Sequence, residues 1–211
     1  MTRRFFLACA ALLAIAGWAA PPALAQSADR GAAGAKFIQD LGQRAIGVLT
    51  QQNVSRDEIR REFRAILQEG FDVPYIGRFV LGRYWQQATP QQQQEYLQLV
   101  ERMIVDIYAD RFAQYAGQDL AVDQNLKILG TRAEGETDTI VSSQIVPANA
   151  PPVAVDWRVR DRDGRRKVID VAVENVSMSV TQRNEFASVI QRGGGQVEAL
   201  LQALRQRVRA G

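Results

Sequence analysis

The spacing of apolar residues changes twice along this chain, and that change constrains the fold more than any single motif does. From Lys36 to Ala116 apolar residues recur every three or four positions, from Leu120 to Asn175 they alternate, and from Ser179 onward the helical spacing returns. A period near 3.6 gathers apolar side chains on one face of a helix, and a period of 2 gathers them on one face of a strand. Helices first, strands in the middle and helices last define an α+β domain, expected as a curved four-stranded antiparallel sheet with helices packed on it.

The helical half divides at clear stops and starts. Phe37, Leu41, Ala45 or Ile46 and Leu49 mark a first helix, and Ser55 with Glu58 caps a second that carries Ile59, Phe63, Ile66 and Leu67 and stops near Gly70. A short third helix runs from Asp72 or Val73 to Leu81 and ends at Gly82. Tyr84 and Trp85 follow as bulky anchors, expected to hold the next helix against the sheet. Thr89, Pro90 and Gln92 supply the cap, the first helical position and the capping-box partner of the longest helix, which extends to about Ala116.

In the alternating region, strands are expected at 120–129, 137–146, 153–160 and 167–175, with turns at 130–135, 147–152 and Asp163-Gly164. Val153, Val155, Trp157 and Val159, with Ile169, Val171 and Val173 across the hairpin, are expected on one buried face. A helix from about Ser179 to Gln191, a glycine break at 193–195 and a last helix with Val197, Leu200, Leu201, Leu204 and Val208 complete the chain.

Residues 1–25 have the pattern of a cleaved export signal. Arg3 and Arg4 precede the apolar run Phe5–Ala20, and Ala23-Leu24-Ala25 forms a small-residue cleavage site before Gln26. Thr2-Arg3-Arg4-Phe5-Phe6-Leu7 is also similar to a twin-arginine export motif. Residues 26–34, small and polar, are expected as a flexible linker, and 35–211 as a single domain. The 211-residue chain less these 25 leaves 186, enough for one hydrophobic core.

Without Arg3 and Arg4 the formal charge falls from +3 to about +1, a balance that does not favour nucleic-acid binding. Cys9, inside the signal, is the chain's one cysteine, and it has no histidine. Those counts remove Ser-His-Asp and Cys-His catalysis and the usual imidazole metal sites. No cofactor or metal is implied.

Two blocks carry a family resemblance. The first, Phe71 to Tyr96, reads FDVPYIGRFVLGRYWQQATPQQQQEY. The second runs from Val155-Asp156-Trp157 through Asp163-Gly164, Lys167-Val168, Asp170-Val171, Val173-Glu174-Asn175-Val176-Ser177-Met178 to Arg183 and Phe186. Together they resemble the MlaC family, also known as toluene-tolerance proteins. Asn175 departs from the family's usual glycine, and asparagine is the side-chain residue that best accepts the left-handed backbone such a turn needs.

That resemblance implies a non-enzymatic periplasmic phospholipid carrier. Its partners would be phospholipid, an inner-membrane ABC transporter complex with its substrate-binding subunit, and an outer-membrane lipoprotein complex. The implied apolar lipid cavity, between sheet and helices, is expected to be lined by Phe79, Val80, Trp85, Val100, Ile104, Tyr108, Val141, Ile145, Val155, Trp157, Val159, Val171, Val173, Met178, Phe186 and Ile190. The same periodicity also fits an ordinary solid core.

The even face of the sheet brings Arg158, Arg160 and Arg162 near Arg165, Arg166 and Lys167. These fit a solvated face, a lipid phosphate or an acidic partner, with Asp156, Asp170 and Glu174 as their expected ion-pair partners. Three other functions stay open: a hopanoid or other apolar-ligand carrier of the same fold, a carboxylate hydrolase using Asp156 or Asp170, and an adaptor that docks an apolar face on a membrane complex.

Overall fold

A computed structural model describes residues 22–51, 53–116, 120–147 and 150–210; residues 1–21, which hold most of the expected export signal, lie outside them. The described residues form seven α-helices, a short 3₁₀ turn and one antiparallel sheet of five strands. The order is α1 (Pro22–Leu49), α2 (Arg56–Gly70), α3 (Val73–Leu81), the 3₁₀ turn (Gly82–Gln86), α4 (Pro90–Ala113), α5 (Val122–Asn125), β1 (Leu126–Glu134), β2 (Asp138–Ile145), β3 (Val153–Arg162), β4 (Arg165–Val173), β5 (Val176–Ser177), α6 (Met178–Arg192) and α7 (Val197–Ala210). The strands pair in chain order.

The helix ends follow from local chemistry. Ser55 accepts a hydrogen bond from the Glu58 amide, and Thr89 and Gln92 form a reciprocal capping box with Pro90 at the first helical position. Gly82 ends α3 with φ +58°, where a Cβ would be strained. The β3–β4 turn places Asp163 and Gly164 at φ +54° and +78°, and the β4–β5 turn places Glu174 and Asn175 at +48° and +65°, all in the left-handed region. Asn175 thus adopts the left-handed backbone expected of it.

Three features differ from the sequence expectation. The fifth strand, Val176–Ser177, is two residues long, too short to carry a period. The first strand begins at Leu126 rather than Leu120 and runs through Gly130, because a bulge at Leu129 absorbs the residue that breaks the alternation. The segment 26–34, expected as a linker, is helical and belongs to α1. Its small residues serve proximity: a Cβ on Gly31 would lie 2.5 Å from Thr131 Oγ1, and one on Gly34 would touch Thr139 and Val141.

The core has two main parts. One is helical, with Val80, Leu81, Tyr84, Tyr96, Val100, Met103, Phe186, Ile190, Leu200 and Leu201 buried between α3, α4, α6 and α7. Trp85 packs there, edge-on to Tyr96 at 6.5 Å, and does not brace α4 against the sheet. The Tyr96 hydroxyl donates to the Gly77 carbonyl at 3.0 Å, and burial pushes its pKa far above the ordinary tyrosine value. The other part joins α1 to the sheet through Ile38, Leu126, Val141, Val159 and Val168.

Candidate functional site

Opposed residues in an antiparallel ladder project to the same side of the sheet, so the register assigns its faces. One face carries Val141, Trp157 and Val171 in one row and Ser143, Val155 and Val173 in the next. Thr139, Val159 and Val168 form a third row. The Asp163-Gly164 turn pairs Val159 with Val168, and a bulge at Ile169, a residue expected on this face, then shifts the register so that Val171 and Val173 stand opposite Trp157 and Val155. Helix α1 lies over β1 and β2 and reaches β3 on this side.

Cover over this face is uneven. Val141, Val155, Val159 and Val168 are buried, whereas Trp157, Val171 and Val173 are half-buried. The indole of Trp157 is fixed in place: its Nε1–H donates to Ser143 Oγ at 2.8 Å, and that hydroxyl donates to the Val155 carbonyl at 3.0 Å. The tryptophan's one polar atom is thereby satisfied inside the sheet, and its apolar body is left on the surface of the face. Ser143 is fully buried, and both bonds of its hydroxyl go to β3.

Beside this face, between α1 and β1, a recess of about 560 Å³ is lined by Ala32, Ala35, Ile128, Leu129, Gly130, Thr131 and Ala133. Its size falls within the ~300–1,000 Å³ of small-molecule sites. Alanines and glycine on its walls are too small to fill the space. The sequence expectation named none of these residues, since a helix made from 26–34 was not foreseen.

The sixteen expected lining residues do not form one surface. Phe79, Val80, Trp85, Val100, Ile104, Phe186 and Ile190 belong to the helical core, and Val141, Trp157, Val159 and Val171 to the sheet core. Val155 is buried, and Val173 and Met178 are half-buried. Tyr108 and Ile145 are 42% and 36% exposed, and the Arg111 guanidinium lies 5.9 Å from the Tyr108 ring.

The opposite face is charged, with its ion pairs arranged otherwise than expected. Asp138, 2% exposed, receives Arg158 Nε at 2.8 Å, Arg160 Nε at 2.7 Å and Nη2 at 2.9 Å, and the Thr137 hydroxyl at 3.0 Å. Burial pushes the Asp138 carboxyl up, and the hydrogen bonds from Arg160, Arg158 and Thr137 more than offset this, holding it below the ordinary aspartate value. Asp170, one of the two candidate hydrolytic carboxylates, instead braces the start of α6. It accepts from Ser177 Oγ at 2.6 Å and from the Ser179 amide at 3.1 Å. Glu174 accepts from the Ala154 amide at 2.7 Å. Among the described residues no group of three or more His, Cys, Asp or Glu is placed to hold a metal ion, and no helix is long and apolar enough to cross a membrane.

Sheet, helices and recess define an α+β domain with one charged sheet face and one apolar face that its own helices cover incompletely. The family model described as MlaC protein matches residues 39–206, and the chain belongs to the MlaC family. Among curated relatives, toluene tolerance protein ttg2D of Pseudomonas putida is 25% identical over 116 residues, 55% of this chain and 51% of that protein, so the match spans about half of that relative's length. The intermembrane phospholipid transport system binding protein MlaC of Haemophilus influenzae is 21% identical over 175 residues, 81% of this chain and 76% of that protein. A phospholipid-binding protein from Ralstonia solanacearum, solved in complex with a phospholipid, shares the fold with a TM-score of 0.72 at 24% identity, covering 83% of this chain and 97% of that one.

Proposed function

We propose that this chain is a periplasmic phospholipid carrier, exported by the signal in residues 1–25, that holds acyl chains against the apolar sheet face and leaves the head group near the mouth of the site. Lipid would pass between an outer-membrane lipoprotein complex and the substrate-binding subunit of an inner-membrane ABC transporter complex. The observation that carries this reading is the match to the MlaC family over 39–206, supported by one relative named for phospholipid transport and a structural neighbour named for phospholipid binding.

The physical case rests on exposed apolar surface. Each methylene taken out of water is worth ~0.8 kcal/mol, so a sixteen-carbon chain needs roughly 12 kcal/mol of cover. Trp157, Val171 and Val173 form a half-covered apolar strip across β3 and β4, next to residues buried by α1. A chain laid along that strip would complete the cover. Small displacements of α1, whose glycines sit close to β1 and β2, would widen the space between helix and sheet.

Native mass spectrometry of the protein recovered from the periplasm tests the reading. The expected result is protein beginning at Gln26 with bound glycerophospholipid, released and identified by its head group. Recovery of lipid-free protein that takes up no lipid from vesicles would overturn the carrier role, and a hopanoid in place of phospholipid would overturn the ligand assignment.

A further inference from the structure

On the charged side of the sheet, at the end of the β3–β4 hairpin, a second recess of about 510 Å³ is lined by Asp72, Arg160, Arg162, Asp163, Arg165 and Lys167. Two of its four cations are fixed by structural contacts. Arg160 is held by Asp138 and lies 4.5 Å over the Tyr75 ring, and Lys167 Nζ donates to the Gln68 and Glu69 carbonyls at the end of α2, at 2.9 and 2.7 Å. The other two, Arg162 and Arg165, face one another across the last rung of the ladder and are exposed. Of the nearby acids, Asp161 is engaged by Arg166 and the Gly164 amide and Asp72 by the Tyr75 amide, while Asp163 is exposed in the turn between the two arginines. Like charges directly opposite in a ladder repel unless an anion sits between them.

We propose that this recess is a docking site for an acidic segment of a protein partner, with a carboxylate seated between Arg162 and Arg165 and the fixed charge of Arg160 and Lys167 behind it. Planar guanidinium groups match a carboxylate in a two-bonded geometry that fixes its orientation. The concave shape suits a projecting side chain better than a flat membrane surface. The register sets the recess apart from the lipid-holding strip: Arg160 and Lys167 project from one side of the sheet, and Val159 and Val168 next to them project from the other. Docking and lipid binding therefore use different faces, and the inference stands on charge and geometry independently of the carrier reading.

The test is fluorescence anisotropy of a labelled hexaglutamate peptide titrated with the full chain at low ionic strength, where charge contacts are least screened. The expected result is saturable binding that weakens about tenfold or more in R162E/R165E. Binding should weaken by a smaller factor in Arg165→Gln, a milder variant that also guards against misfolding, and persist in R207E/R209E, which changes net charge equally at exposed sites on α7. Absence of saturable binding by the parent, equal loss in both double variants, or loss of sedimentation with phosphatidylglycerol vesicles while peptide binding is unchanged would each overturn the proposal. Lipid content of R162E/R165E, read by native mass spectrometry, is expected to equal that of the parent; loss of lipid would contradict the separation of faces.

Discussion

Asp138 shows how one side chain can order a whole face. It lies at the first position of β2, directly across from Arg160, and it collects two guanidinium groups and a hydroxyl while buried. Its carboxyl is held below the ordinary value, so its contribution to stability is fully present above the unfolded aspartate pKa of ~3.9 and is lost as pH falls through the lower folded value. Urea denaturation of the parent should therefore show stability that begins to fall below about pH 4. Asp138→Asn should lower stability at pH 7 by about 2–3 kcal/mol, because Arg160 loses its charged partner, and should show a shallower fall in acid. Nothing in the sequence separated Asp138 from Asp156 or Asp170. Burial of a carboxylate is set by which strand end it occupies, and that depends on a register the hydrophobic pattern does not give.

Glycines decide how closely elements approach. A Cβ on Gly193 would lie 2.2 Å from the Cβ of Ala199, and neither atom is the tip of a movable side chain, so α6 and α7 would have to separate. Gly193 has φ −86°, open to any residue, so the cost is purely steric. Gly193→Ala should destabilise by about 1–3 kcal/mol, measured by urea midpoint. Gly77→Ala should stay within about 1 kcal/mol of the parent, since its Cβ crowds the end of Leu97, which can rotate away, and makes an ordinary contact with Tyr96, while the helix gains a better former. At this scale the sequence was legible wherever chemistry is local. Ser55, Gly82, Thr89-Pro90-Gln92, Asp163-Gly164 and Asn175 each act where expected, because caps and turns involve only a few neighbouring residues. β1 and the start of α1 were not legible. β1 is an edge strand whose second half is exposed, so it has no alternation to display, and residues 26–34 are small for the sake of a sheet that lies a hundred residues further on.

For the whole molecule, the two main apolar clusters divide the work. The helical core is closed by aromatic edge contacts among Trp85, Tyr96 and Phe186, whereas the sheet face keeps Trp157, Val171 and Val173 partly open. A charge placed on the open strip should therefore remove lipid at modest cost to folding. Val171→Asp is expected to reduce lipid recovered with the protein at least about tenfold while the protein still folds, measured by native mass spectrometry and circular dichroism. A matching change in the helical core, Ile190→Asp, should prevent folding outright, because it buries an unpaired charge. Periodicity marked both sets of residues as apolar but could not assign them to different compartments, since a half-covered strand face and a fully covered one have the same alternation.

The simple strand order has a kinetic consequence. Every strand of this sheet pairs with its neighbour in sequence, so each ladder closes over a short loop and none waits for a distant segment to arrive. Such nearest-neighbour connectivity lowers contact order and speeds folding within its size class. With its one cysteine in the expected export signal, the chain needs no oxidant to reach its final state. Refolding from urea should accordingly proceed at the same rate in reducing and oxidising buffer.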